Sequence, residues 1–520
     1  MSTGRALLRS GSALSLLTLV SRVLGLLREM TKAALLGTGA LSDAFSIAFM
    51  LPNLFRRLFA EGSIAVAFIP TFKEYLLAGE HRETREFLCC FWTFLSFFAS
   101  IAVMLGILCA PLIMPVFGIT EMDETVLLTR IMFPFLLFIS IAAFFQGILN
   151  SVRVFAPSAF APIVLNIVTI ASAWLLSPLT GNPARAMAIG IFAGGFLEAA
   201  VQLPFVIKRG FSFSWAPLGR AMRNSGTKKV LRLVGPTIIG MAAYQLNDLV
   251  STALAGNAGS GVVSSLQYSL RLQELILGIF AVSIGTVLLP ELAEKAKTGD
   301  WAAYNSRLSD AIAIIALITI PVIFFSLVEG ESLIRLLFQS RKFDEESVAL
   351  TLDAFTFHIS GLFFIALNRI LAPAFYAQSD SVSPTLAGLL SFAVNIALAF
   401  ALSGPMKGGG IALSLSLAGL VNTACLLWFL QRNKNIAIRA LLGGVLAYIV
   451  KIGAVSLAAS IPLIFVSPLV RRLIAHLSLK GRLWTQALPL LSSFIVFAAA
   501  GIFLLILTRD RYVKRLFHQG

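Results

Sequence analysis

The chain contains many runs of roughly 18 or more residues that are almost entirely apolar, and this feature constrains its fold most strongly. A transmembrane helix needs about 20 such residues, whereas a transmembrane strand needs only about ten, of alternating polarity. Apolar residues make up 58% of the sequence and charged residues 13%, about half the share typical of soluble proteins. The sequence therefore predicts an all-α polytopic membrane protein and excludes soluble multidomain and disordered classes.

About 14 membrane-spanning helices can be placed along the chain. The predicted spans are residues 12–37, 41–59, 87–113, 125–149, 156–177, 185–207, 230–256, 263–290, 307–328, 347–376, 384–403, 409–431, 441–467 and 483–508.

An internal repeat organises these helices. At an offset of 220 residues, Pro70 aligns with Pro290 and Glu74 with Glu294, each after the second helix of its half. Two six-helix lobes entering the membrane from the same side form a parallel repeat, which is typical of transporters. The predicted parts are an N-lobe of helices 1–6 at 1–207, an amphipathic cytoplasmic linker at 208–229, a C-lobe of helices 7–12 at 230–431, and helices 13 and 14 with a basic tail at 432–520.

Basic residues in the loops predict the orientation of the chain. Lysine and arginine concentrate at the N-terminus, at 73–85, at 208–232 and in the C-terminal tail, whereas the loop at 121–124 is acidic. Because basic loops remain in the cytoplasm, both termini are predicted to be cytoplasmic, although the basic loop at 471–482 then lies outside. The net charge of +16 thus reflects topology, and no nucleic-acid partner is expected.

Arginines inside the predicted spans indicate an anionic substrate. Each buried charge costs about 2.5–3.5 kcal/mol at a helix centre and needs a partner or water. Arg22, Arg28, Arg56 and Arg271 outnumber the acids near them, which predicts a water-filled cavity of positive potential between the lobes. Guanidinium groups suit the bidentate recognition of phosphate or carboxylate.

Other intramembrane polar residues leave alternatives open. Asp248 is a candidate cation site, for Na+ or H+, or a satisfied structural carboxylate. Glu274 lies three residues after Arg271 on the same helix face. Asp353 and His358 are expected to pack or pair locally. The four cysteines lack metal-ligand spacing and no catalytic motif is recognised, so neither an enzyme, a metal nor a cofactor is predicted.

Several motifs resemble those of one family. The first two helices contain SRVLGLLRE at 21–29, SDAF at 42–45 and LPNLFRRLFAEG at 51–62. Further motifs are QGILN at 146–150, APSAFAP at 156–162, GTVLLP at 285–290 and LAPAFY at 371–376. Together they resemble the MurJ (MviN) lipid II flippases of the multidrug/oligosaccharidyl-lipid/polysaccharide exporter superfamily, over nearly the whole chain.

The resemblance implies a function and a set of site residues. It implies 14 helices, a central cationic cavity, and a groove beside helices 13 and 14 for a polyprenyl tail. The residues implied as essential are Arg22, Arg28, Asp43, Arg56 and Arg271, with Asp43 gating by pairing with an arginine. Glu274 is a second gating candidate, and Glu29 and Arg341 depart from the family's common pattern.

The expected activity is translocation of lipid II, the undecaprenyl-diphosphate-linked peptidoglycan precursor, across the bacterial inner membrane by alternating access. The protein is expected to act as a monomer with lipid II and the bilayer as its partners. Two alternatives remain open: an exporter of another anionic lipid-linked oligosaccharide, and a non-transporting membrane scaffold.

Overall fold

The computed structural model describes residues 2–58, 67–436, 438–476 and 481–518, and within these ranges the chain is helical and contains no strand. By length and hydropathy, eight helical stretches in the described residues can cross a membrane, or nine if a bent pair counts as one span. These observations confirm the predicted fold class, an all-α polytopic membrane protein.

The chain divides into two compact units, Met1–Ser264 and Ser265–Gly520. The helices that begin in the first unit are α1 (Ser2–Leu36), α2 (Ala40–Arg56), α3 (Ile69–Ala78), α4 (His81–Ile113), α5 (Met122–Met132), α6 (Phe135–Ser151), α7 (Ala156–Thr180), α8 (Pro183–Lys208), α9 (Leu218–Arg223), α10 (Ser225–Ala258) and α11 (Val262–Thr298). Those that follow are α12 (Trp301–Phe338), α13 (Glu345–Ser360), α14 (Leu362–Tyr376), α15 (Val382–Leu430), α16 (Ile438–Ser460), α17 (Leu463–His476), α18 (Leu488–Leu507) and α19 (Arg511–His518).

Each predicted span has a helical counterpart, but several are interrupted. The fourth is divided into α5 and α6 beside Pro134, which cannot donate a backbone hydrogen bond. The tenth comprises α13 and α14, bent by 42°. The eleventh and twelfth are the two halves of α15, which is kinked at Lys407 with φ 46°. In the second, α2 continues through Pro52 and widens into a π turn at 57–58.

An aromatic core joins α3, α4 and α6 in the first unit. Phe68, Phe72 and Phe87 are fully buried and stack on one another, with Phe144 edge-on to Phe68. The predicted amphipathic linker completes this core, but residues 211–217 belong to no helix or strand, and its helical residues are Lys208 at the end of α8, α9 and the start of α10. The linker's aromatic residues alternate with polar ones, so Phe213 packs against the core between two polar neighbours.

The predicted connection between the ninth and tenth spans, residues 329–346, is wrong in its extent. Helix α12 continues to Phe338, which leaves residues 339–344 as the connection. The extension is held by Arg335, which bridges Glu331, one turn earlier, and Glu345 at the start of α13. Asp344 caps α13 by accepting from the Ser347 N–H at 3.0 Å, and this bond lowers the pKa of its carboxyl.

The last helices are joined by a cluster just after α18. Asp510 is buried and accepts from Lys451 of α16 at 2.7 Å, while Tyr512 donates to Asp310 of α12 at 2.8 Å. Burial alone would raise the pKa of Asp510, but Lys451 and two backbone N–H groups offset it, so the pKa lies below its usual value. These contacts fix the end of α18 to α12 and α16.

Candidate functional site: a charged pair of helices and an apolar groove

The predicted arginines of α1 and α2 have different surroundings. Arg28 forms an ion pair with Glu29 at 3.0 Å, with both side chains less than one-fifth exposed. Arg56 donates from Nε to Asn53 Oδ1 at 2.9 Å. Arg22 is half-buried and makes no hydrogen bond or ion pair with any described residue. A guanidinium in this state can accept an anionic partner without first giving up a carboxylate.

Lys32 is a further buried cation of α1, and the sequence analysis missed it. Its side chain is 3% exposed and donates from Nζ to Ser46 Oγ of α2 at 2.6 Å. It also lies 6.0 Å from the centre of the Phe45 ring. The spacing offered a signal, because Lys32 follows Arg28 by four residues and so shares its helix face.

Asp43 is the buried acid of this site, but its partners are backbone N–H groups. It accepts from Gly261 N at 2.6 Å and from Ser264 N at 2.8 Å, at the start of α11. An anion at a helix N-terminus satisfies free N–H groups and faces the positive end of the helix dipole. Asp43 thus fastens α2 to the first turn of α11 in this structure.

Asp248, the candidate cation site, lies on α10 beside an arginine. Its carboxylate is 3.8 Å from Arg57, and the two side chains are 46% and 34% exposed. Such a half-exposed pair is worth at most about 1 kcal/mol. The negative charge of Asp248 is therefore balanced by Arg57, while the carboxylate itself stays partly exposed.

In the second unit, Arg271 and Glu274 form the expected pair on one face of α11. Their charged groups are 3.4 Å apart, and the buried Nε of Arg271 has no hydrogen-bond partner among the described residues. His358 of α13 is buried and bonds to Ser269 of α11 at 2.6 Å, which is a structural contact between two helices. The Asp353 carboxylate lies against Gly409 of α15, where an added Cβ would be 2.5 Å from its Oδ2.

An apolar groove of about 630 Å³ lies in the second unit between α12 and α18. Its lining includes Phe325 and Leu336 of α12, and Trp484, Leu491 and Phe494 in and before α18. All are hydrophobic, and Trp484, Leu491 and Phe494 are each about half exposed. A groove of this composition suits a hydrocarbon chain.

No candidate metal centre accompanies these features in the part of the chain that the structure describes. There, no group of three or more histidine, cysteine, aspartate or glutamate side chains is arranged around a common point. The four cysteines, two of them buried, are free thiols.

Comparison with known proteins gives one family. A family model described as lipid II flippase MurJ matches residues 32–481. A probable lipid II flippase MurJ of Treponema pallidum (strain Nichols) is 44% identical, over 99% of this chain and 98% of the relative. A lipid II flippase MurJ of Burkholderia cenocepacia is 33% identical, over 80% of this chain and 82% of the relative.

Two solved structures share the fold. A lipid II flippase MurJ in an inward closed conformation superposes with a TM-score of 0.78 at 24% identity, covering 96% of this chain and 99% of that one. An inward-facing multidrug resistance MATE family transporter of the MOP superfamily has a TM-score of 0.66 at 13% identity, covering 81% and 95%. With the matches in sequence, these results show that the chain belongs to the lipid II flippase MurJ family.

Proposed function

We propose that this protein is a lipid II flippase that carries the undecaprenyl-diphosphate-linked peptidoglycan precursor from the inner to the outer leaflet of the bacterial cytoplasmic membrane. The observation that carries the proposal is the set of cations on α1 and α2, in a chain of this family. Diphosphate is the fixed anionic part of the substrate, and guanidinium groups bind phosphate bidentately.

Each arginine has a different role in binding the diphosphate. Arg22, with no partner among the described residues, makes the first contact with the diphosphate. Arg28 then exchanges Glu29 for a phosphate oxygen, so binding changes which charges are paired. Arg56 and Arg271 are further contacts on the path through a central cationic cavity. A ligand that changes pairing in this way shifts the balance between conformations.

Asp43 acts as the gate in this proposal. Its bonds to Gly261 and Ser264 hold α2 against the first turn of α11. Opening on that side requires these bonds to break, and their re-formation resets the transporter. Glu274, paired with Arg271, is the corresponding gating candidate in the second unit.

The groove between α12 and α18 holds part of the polyprenyl chain while the head group crosses.

Both termini are cytoplasmic in this proposal, as the basic loops favour. An inside-negative potential, worth about 2.3 kcal/mol per charge per 100 mV, then assists outward movement of the anionic head group. The protein acts as a monomer.

The direct test is a flipping assay with purified protein in vesicles containing labelled lipid II. Because a hydrogen bond to a charged group is worth about 1.5–3 kcal/mol, Arg22→Gln or Arg28→Gln is expected to slow flipping by about tenfold to a hundredfold. The matched control is Arg130→Gln, since Arg130 is exposed and donates to the backbone carbonyl of Ile107. Equal rates for all three variants would reject these arginines as substrate contacts.

Charge reversal separates a flippase from a scaffold. Arg271→Glu is expected to abolish externalisation of lipid II when it replaces the native protein in cells, whereas a scaffold would tolerate it. Supplying vesicles with a different undecaprenyl-diphosphate-linked saccharide tests the other alternative. Faster transport of that lipid than of lipid II would identify the protein as its exporter.

A further inference from the structure

A second cationic site lies in the first unit, where α4 begins. A cavity of about 540 Å³, open on one side, is lined by the first turns of α4, the segment before α9, and α9 itself. Its charged lining comprises Arg82 and Arg85 of α4, Arg220 of α9, and one carboxylate, Glu86. Neither the anionic-substrate arginines nor Asp43 belongs to it.

The electrostatic balance of this cavity favours an anion. Three guanidinium groups, all on exposed residues, line the cavity together with one carboxylate and His81, and within the described residues none of the three guanidinium groups forms an ion pair or a hydrogen bond. The N-terminal end of α4, which begins at His81, adds the positive end of a helix dipole. Three arginines without partners around one cavity are a recognition arrangement for phosphate oxygens.

The walls of the cavity are held in place by specific contacts. Ser214 Oγ lies 3.2 Å from Cys89 Sγ, and the Ala216 N–H donates to Thr93 Oγ1 at 2.9 Å. Trp92 packs against Trp215 with ring centres 6.0 Å apart. The segment before α9 is therefore fastened along α4, and the cavity is formed before any ligand binds.

The cavity lies where the exposed, polar start of α4 meets its buried, apolar continuation. Residues 81–86 of α4 read HRETRE, whereas the helix is apolar from Phe87 onward. Cys89 lines the cavity on the apolar side, and Trp215, which is 69% exposed, lines its rim. Tryptophan is enriched where a protein meets the lipid head groups, and basic pockets at that level bind anionic head groups.

We propose that this cavity binds the phosphate head group of an anionic membrane lipid. The shared chemistry is a phosphate ester with a negative charge, and the exposed Trp215 beside the arginines favours a lipid over a soluble phosphate. The inference concerns a site apart from the transport residues and stands whether or not the protein flips lipid II.

The test measures binding of phosphatidylglycerol to the full-length protein in detergent by native mass spectrometry. The variant Arg82→Gln/Arg85→Gln/Arg220→Gln is expected to weaken binding by about fivefold for each arginine removed, on the scale for basic residues at a membrane surface. The matched control, Arg209→Gln/Arg223→Gln/Arg232→Gln, removes the same charge from exposed positions outside the cavity and is expected to keep the native affinity.

Three results would overturn the proposal. Equal losses in the two triple variants would mean that general surface charge attracts the lipid, and no loss in either would mean that the cavity is not its site. Competition by inorganic phosphate at matched ionic strength, with an affinity equal to that of the lipid, would assign the cavity to a soluble anion. Should the triple variant unfold in detergent, Arg220→Gln alone is expected to show the fivefold loss.

Discussion

At the scale of single residues, Asp43 combines burial with bonds to the first turn of another helix. Asp43→Asn removes the charge that faces the α11 dipole and is expected to cost about 1–2 kcal/mol at this junction. A cysteine placed at Val262, which is 2% exposed, should then react with a thiol reagent about fivefold to thirtyfold faster in detergent.

The control for this prediction is Asp123→Asn, because Asp123 is an exposed acid in the first turn of α5. It should leave the labelling rate at position 262 unchanged. An unchanged rate in the Asp43→Asn variant as well would show that Asp43 does not hold the junction closed.

The same residues show how far sequence reasoning extends at this scale. The cost of burying a charge singled out Arg28 without any coordinates, and the motif resemblance added Asp43. The partner of Arg28 could be predicted, because Glu29 adjoins it. The partners of Asp43 could not, because the N–H groups that bind it lie 218 and 221 residues away. Lys32 was missed because its partner, the Ser46 hydroxyl, carries no charge that a search for ion pairs would find.

At the scale of helices, α10 has a close contact that depends on glycine. A Cβ added at Gly256 would lie 2.0 Å from the Phe117 carbonyl oxygen, whereas one at Gly235 of the same helix would meet nothing within 4 Å. Gly256→Ala is therefore expected to lower the free energy of unfolding by about 1–3 kcal/mol through overpacking. Gly235→Ala is expected to raise it by about 0.4–1 kcal/mol.

Thermal unfolding in detergent checks both values, and hydrogen exchange of residues 114–118 checks the location. Faster exchange there in the Gly256→Ala protein alone would place the damage at the turn that α10 contacts. Identical melting midpoints for the two variants would mean that α10 is free to move away from this turn at no cost.

The positions of the helices could be predicted from hydropathy. The breaks within them and the conformation of the linker at 208–229 could not. The length of the apolar run predicts that residues 125–149 cross the membrane. The break beside Pro134 does not follow from that length, because it depends on how neighbouring helices bond the backbone carbonyls that proline leaves without a donor. The linker's aromatic residues predict an amphipathic segment but not its backbone conformation. Phe211 and Phe213 are two residues apart, a spacing that fits an extended chain, and the aromatic core provides the surface that favours it.

At the scale of the whole molecule, transport needs a driving force, and Asp248 is the candidate site for a coupling cation. Arg57, 3.8 Å away, competes for the same carboxylate. Because a half-exposed pair of this kind is worth up to about 1 kcal/mol, Arg57→Gln is expected to lower the cation concentration for half-maximal flipping by up to about fivefold. Asp248→Asn should make flipping independent of that cation.

The measurement is lipid II flipping in vesicles in which Na+, pH and membrane potential are varied one at a time. A shift with Na+ alone identifies sodium as the coupling ion, and a shift with pH alone identifies the proton, since each would compete separately with Arg57. If Asp248→Asn slows flipping and the double variant Arg57→Gln/Asp248→Asn restores it with no ion dependence in any variant, Asp248 is only the partner of Arg57. Flipping would then be driven by the membrane potential acting on the anionic substrate.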